Sequence, residues 1–130
     1  MPIDPEILLK KELDEVEGSW TEERVILYNI AVGSSQDPLN KSDLEFTVGS
    51  NPKVIPSFAA CIYPMESVFS IIGSEGLEVS LTSLLHGEQK ITIHKDIPSS
   101  GTAVTKATIT AVEDYKKFAS VTITSDSYLE

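Results

Sequence analysis

From Leu84 the sequence changes period. In Leu-Leu-His-Gly-Glu-Gln-Lys-Ile-Thr-Ile-His-Lys, residues Leu85, Gln89, Ile91 and Ile93 fall on one side of an extended chain. His86, Glu88, Lys90, Thr92 and His94 fall on the other. That alternation predicts a half-buried strand. Pro98 and Gly101 then turn the chain, and two β-rich runs follow, Thr102–Val112 and Phe118–Ser125. Thr, Val and Ile dominate both, as pleated surfaces prefer. Glu113–Lys117 has the length and polarity of a hairpin connection. The C-terminal part is therefore expected to be a three-stranded antiparallel meander. Three long strands expose an edge, so a further strand is expected beside them, from a partner chain or from sequence beyond this one.

The first half reads differently. Eight of the twenty acidic residues lie in the first 24 positions. Ile7, Leu8 and Leu13 give this stretch an inner face, which predicts an acidic amphipathic helix up to Gly18; an acidic docking arm is the alternative. Ser19, three residues before Glu22, has capping-box spacing, so a second helix is expected over Thr21–Val32, stopped by Gly33. Residues 34–42 are turn-rich. Asp43–Val48 alternates and predicts a short strand. Val54–Ile72 is the most apolar stretch, cut by Pro56 and Pro64; a short buried helix is expected around Met65–Ile72. Helices first and an antiparallel sheet after them is an α+β domain. The expectation is one domain over 1–130, with residues 1–18 an acidic helical segment and 19–130 the body.

Composition narrows the function. Twenty acids against ten bases give a net charge of −10, which leaves no basic face for nucleic acid. No apolar run reaches the roughly 20 residues of a membrane span. The single cysteine, Cys61, cannot form an internal disulfide, and no Cys/His cluster has zinc spacing. Acids stand where a secretory or mitochondrial leader carries bases.

Few residues advertise chemistry. Gly73-Ser74-Glu75-Gly76 lacks the remainder of a phosphate loop, and no Gly-x-Ser-x-Gly elbow is present. Cys61, in Phe-Ala-Ala-Cys-Ile-Tyr, reads as a small core residue. His86 and Glu88 are two apart on the expected strand and so share a face. A carboxylate beside an imidazole is how acid/base pairs are built, and Gly87 between them permits close approach of a ligand. A polar, solvent-facing strand side is the plainer explanation. His94, beside Lys95 and Asp96, reads as surface.

Several motifs carry a resemblance. Leu84-Leu85-His86-Gly87-Glu88-Gln89, followed by Ile97-Pro98-Ser99-Ser100-Gly101, resembles the N-terminal half of the MaoC-like (R)-specific 2-enoyl-CoA hydratases, or hydratase 2. Tyr28-Asn29-Ile30-Ala31-Val32-Gly33, Asp43-Leu44-Glu45-Phe46 and Ile55-Pro56-Ser57-Phe58 resemble further family motifs in the same order. The resemblance implies a hot-dog fold, an antiparallel sheet wrapped around a central helical segment. It implies addition of water to a trans-2-enoyl thioester, or the reverse dehydration, in fatty-acyl metabolism. It implies no metal or redox cofactor. An Asp/His pair handles the water, and a backbone N–H polarises the thioester carbonyl.

The departures bear on activity. The family's Asp-x-Asn-Pro-x-His motif belongs to the other hot-dog half and does not occur here; Asn51-Pro52 lacks its Asp and His. The resemblance thus implies the acyl-binding half, inactive alone, with Pro56, Phe58, Ala59 and Ala60 shaping an apolar slot. His86, Glu88 and Gln89 are placed near the junction with a second hot-dog, in a homodimer or from a catalytic partner half, with His86 and Glu88 the catalytic candidates and His86 and Gln89 also substrate-binding. The substrate is an acyl thioester of CoA or of acyl carrier protein. Lys53, Lys90 and Lys95 are the candidate cations for such a polyanion. The location implied is cytoplasmic, or peroxisomal for a piece of a eukaryotic multifunctional enzyme. The alternatives are a stand-alone module that holds acyl thioesters without turnover, and an interaction domain docking through its acidic start.

Overall fold

A computed structural model describes residues 3–63, 69 and 71–130. The order of elements is α1 (Pro5–Leu9), β1 (Val16–Trp20), α2 (Glu22–Ala31), α3 (Lys41–Leu44), two 3-10 turns (Pro56–Cys61 and Leu81–Ser83), β2 (Gly101–Asp114) and β3 (Ala119–Leu129). The sheet is antiparallel with order β1-β2-β3. This is a small α+β domain, consistent with a hot-dog fold.

The hairpin forms as the sequence predicts. β2 and β3 pair from Ala103↔Leu129 to Asp114↔Ala119. Along β2, Ala103, Thr105, Ala107 and Ile109 are buried. The register then shifts at Thr110, so that Ala111 faces Thr122. This one-residue bulge moves the inward side from odd to even positions. Val112 therefore joins Val121 and Ile123 around Ile109. At the tip, Lys116 has φ +66°, a region that Gly or Asn usually fills. Its N–H donates to Asp114 Oδ1 at 2.8 Å.

The tip makes a pH prediction. Tyr115 Oη donates to Glu113 Oε2 at 2.8 Å, and that bond, with the carboxylate's charge, raises the phenol above its ordinary pKa. A raised acid pKa stabilises the folded state below the unfolded value, and the contribution disappears as pH rises through the folded one. In a near-ultraviolet titration Tyr115 should ionise above the ordinary tyrosine value. Glu113→Gln should bring it down; an unchanged titration curve would count against the bond.

The meander's first strand comes from an unexpected place. The expected strand over 84–95 joins no ladder; it takes no regular structure and its residues are exposed. Instead β1 lies on β2, with Val16↔Thr105 and Trp20↔Gly101. Between β1 and β3 both sides of the start of β2 are occupied, so residues 84–95 find no edge there. The acidic helix expected over 1–18 is likewise corrected. It is one short helix, Pro5–Leu9, started by Asp4, whose Oδ1 accepts from the N–H groups of Glu6 and Ile7. Gly18, expected as a helix breaker, lies inside β1 opposite Ala103. In Val16–Trp20 the buried residues are Gly18 and Trp20, with Glu17 and Ser19 outside: period two, hidden by charge and glycine.

Other corrections are local. Thr21, not Ser19, caps α2, its Oγ1 accepting from Arg24 N at 3.3 Å. The expected strand Asp43–Val48 is absent: Asn40 caps α3 through Asp43 N, and turns follow. The stop at Gly33 is as expected: Val32 is the C-cap and Gly33 takes φ +99° just beyond it, as a C′ glycine does. The helix expected around Met65–Ile72 lies largely outside the described residues.

Two apolar clusters fill the interior. One gathers Trp20, Val25, Phe58, Ile62 and Ala103, with Tyr28, Val54, Cys61 and Ile97 against it. The other gathers Leu8, Ile71, Leu77 and Ile109. Leu8 is fully buried, worth about 2–3 kcal/mol relative to exposure. The backbone bond from Asp4 N to Gly76 O at 2.8 Å seats α1 there. Ile3, Leu8 and Leu13 therefore anchor this stretch to the second cluster.

Candidate functional site

The candidate residues divide into two groups. Pro56, Phe58, Ala59 and Ala60 all lie on the 3-10 turn Pro56–Cys61. Pro56, at its start, supplies a fixed φ where no N–H is needed. The turn aims Phe58 inward, where it is fully buried. Trp20 meets Phe58 edge-on at 6.3 Å between centroids, and Tyr28 does so at 5.4 Å, both favoured aromatic arrangements. Pro56 and Ala60 are exposed, and Ala59 is half-buried. Phe58 is thus a core anchor, and the turn's outer side faces solvent. The Tyr28 hydroxyl donates to Ser57 Oγ at 2.8 Å, fixing the turn to α2. Arg24 does the same from its other end, with Nη2 donating to Cys61 O at 2.8 Å. Cys61 itself is half-buried, packed against the first cluster.

His86, Glu88 and Gln89 form the second group, on the irregular segment after Leu84. All three are exposed. His86 Nε2 donates to the backbone carbonyl of Glu88 at 3.1 Å. The Glu88 carboxylate is not the imidazole's partner. The segment also exposes Leu84 and Leu85, the latter at 91%. Nothing in the described structure brings His86 and Gln89 to the Pro56–Cys61 turn.

The following motif, Ile97–Gly101, is firmly held. Trp20 Nε1 donates to Pro98 O at 2.9 Å. Ser99, buried, donates to Asn51 Oδ1 at 2.9 Å and stands 3.2 Å from Glu22 Oε1, which also accepts from Asn51 N at 2.8 Å. So Glu22 serves this knot and not the expected capping box. Gly101 lies under the Trp20 indole, where a Cβ would come within 3.1 Å of Cζ2; only glycine fits without displacing the ring. Asn29 closes the loop before the site. It is fully buried, and its Nδ2 donates to Phe46 O at 2.7 Å and Lys53 O at 2.8 Å. Asn29 and Ser99 were visible only as motif letters; their buried bonding has no signature in spacing.

Of the candidate cations, Lys53 pairs with Glu45, which cancels much of its value for a phosphate. Lys90 and Lys95 are exposed. No helix among the described residues is long and apolar enough to cross a membrane.

Residues 19–130 match the family model described as the MFE-2 hydratase 2 N-terminal domain. The chain belongs to that family. Its relatives include the enoyl-CoA hydratase ChsH3 of Mycobacterium tuberculosis, 30% identical over 92% of this chain and 42% of the relative. Another is the peroxisomal enoyl-CoA hydratase 2 of Arabidopsis thaliana, 27% identical over 96% of this chain and 42% of the relative. The mouse peroxisomal multifunctional enzyme type 2 is 28% identical over 90% of this chain and 16% of its own length. The hydratase 2 N-terminal domain thus spans well under half of these relatives. Two of them are peroxisomal by name, so the family has members in that organelle.

Proposed function

We propose that this hydratase 2 N-terminal domain is the acyl-binding half of an enoyl-CoA hydratase or 3-hydroxyacyl-thioester dehydratase, and that it turns over substrate only beside a second, catalytic hot-dog. One observation carries the reading. The His86-Gly87-Glu88-Gln89 segment is exposed, without a ladder partner among the described residues, in a chain that covers 42% of hydratases it matches. An exposed segment without a ladder partner offers a partner strand somewhere to add. The absence of Asp-x-Asn-Pro-x-His from the sequence supports the same division of labour.

In this reading the acyl chain lies along the outer side of Pro56–Cys61, near Pro56, Ala59 and Ala60, with Phe58 as the rigid support beneath. His86 and Gln89 meet the thioester or carrier at the junction. Lys90 and Lys95 are placed to meet the anionic end of the carrier. The catalytic half supplies the Asp/His pair that adds water across the double bond. Cytoplasm or peroxisome is the proposed location.

The test is hydration of crotonyl-CoA and decenoyl-CoA by the purified chain, alone and mixed with a hot-dog half that carries Asp-x-Asn-Pro-x-His. The chain alone should be folded by circular dichroism and inactive, and the mixture should give (3R)-hydroxyacyl product. Robust (3R) product from the chain alone would overturn the half-enzyme reading and send attention to His86 and Glu88.

A further inference from the structure

Helix α2 holds the turn Pro56–Cys61 at both ends. The Tyr28 hydroxyl donates to Ser57 Oγ at 2.8 Å near the turn's start. Arg24 Nη2 donates to Cys61 O at 2.8 Å at its end. Arg24 and Tyr28 are four residues apart, so they stand on one side of the helix. The helix is itself fixed. Thr21 caps its start, and Asn29, fully buried, donates to the carbonyls of Phe46 and Lys53. Arg24 Nη1 also donates to Ser19 O at 3.2 Å, which ties the same guanidinium to β1.

The turn needs such holding. A 3-10 turn has poorer hydrogen-bond geometry than an α-helix, and no side chain caps this one at Ile55. Phe58 anchors its inner side. The shape of the outer side, where Pro56 and Ala60 are exposed and Ala59 is half-buried, depends on where the two ends are kept. Six residues at the 3-10 rise span roughly 10 Å. A decanoyl chain fills such a length and a butanoyl chain does not.

Arg24 is placed to hold rather than to attract. Both Nη atoms face carbonyl oxygens, and Glu22 and Glu23 precede it in the chain, which weakens its pull on a phosphate.

We propose that Arg24 and Tyr28 are positioning residues that set how much of an acyl chain the Pro56–Cys61 turn buries. The proposal rests on the acyl-binding reading given above. Each methylene buried is worth about fourfold in affinity. A turn released at one end no longer follows the whole chain, so the methylenes farthest from the thioester lose contact and a short chain loses nothing.

The test is isothermal titration calorimetry of butanoyl-CoA and decanoyl-CoA into the chain and its variants, each confirmed folded by circular dichroism. The parent should bind decanoyl-CoA at least about tenfold more tightly than butanoyl-CoA. Tyr28→Phe keeps the ring against Phe58 and removes only the hydroxyl. It and Ser57→Ala should each weaken decanoyl-CoA at least about fivefold, a little more than one methylene's worth, and butanoyl-CoA less than about twofold. The two changes together should do no more than the larger one alone, since both break the same bond. Ser57→Thr, which returns the hydroxyl, should match the parent. Arg24→Lys keeps the charge but not the forked donor, and should show the same split between the two ligands. A merely structural role for these residues would lower stability and leave the ratio of the two affinities unmoved; that result would overturn the proposal and spare the acyl-binding reading. A parent with no preference for the longer chain would overturn that reading and the proposal with it.

Discussion

Phe58→Ala should destabilise the domain by about 3–5 kcal/mol, the usual range for deleting a fully buried aromatic ring. The ring is enclosed by Trp20, Val25, Ile62 and Ala103, with Tyr28 edge-on beside it. Collapse of the cavity is restricted. Trp20 is tied to Pro98 through its indole N–H, and Tyr28 to Ser57 through its hydroxyl, so neither ring is free to swing into the space. Chemical denaturation at equilibrium measures the loss directly. A cost near 1 kcal/mol would mean that the turn Pro56–Cys61 re-forms around a smaller residue, and Phe58 would not be the support assigned to it.

Asn29→Ala should cost about 2–4 kcal/mol for a different reason. The carboxamide nitrogen bonds two backbone carbonyls, of Phe46 and Lys53, from a fully buried position. Removing it leaves both acceptors without their donor, and each buried, unsatisfied group costs about 1–3 kcal/mol. The alanine also removes the Asn29 Oδ1, a buried acceptor without a hydrogen bond, which offsets part of the loss. Asn29→Asp should be worse than alanine, since an acceptor-only carboxylate would face two carbonyl oxygens. Denaturation midpoints for the two variants should rank Asp below Ala. The reverse order would show that the loop over residues 34–53 is held by its other bonds, such as Ser35 Oγ to Asp43 O.

How far the fold could be read from the residues depended on how local its causes were. The β2–β3 hairpin was legible because Thr, Val and Ile alternate on both sides of a short polar connection. Helix α2 was legible because its apolar side and Gly33 act within a few residues. β1 was not. Val-Glu-Gly-Ser-Trp has a glycine at its centre and acids around it, and what makes it a strand is pairing with Gly101–Thr105, far along the chain. Residues 84–95 show the converse. Their alternation is clear, yet alternation fixes a side chain's face and not the presence of a neighbouring strand. The strand expected at Asp43–Val48 lost to Asn40, whose side chain starts a helix just upstream.

The candidate site was legible in part. The motif letters of the Pro56–Cys61 turn and of His86–Gln89 pointed to both groups. The spacing argument that joined His86 to the Glu88 carboxylate did not hold, because on a segment outside any ladder the imidazole's partner is a backbone carbonyl. Ser99 and Asn29 act through burial, which spacing does not report.

The pairing of Val16–Trp20 with Gly101–Thr105 has a consequence for how the chain acquires its shape. The residues between those partners must be brought into a closed loop before the first rung of this ladder forms, and such long-range closures slow folding. On the ribosome, β1 leaves the exit tunnel early and has no partner until β2 emerges. Trp20 stays uncovered for that interval, since its indole meets Pro98 O and Gly101 only then. The hairpin, made of neighbours in sequence, can form first and offer β2 as the template. Recovery of Trp20's buried fluorescence should therefore lag behind the appearance of β-structure on refolding.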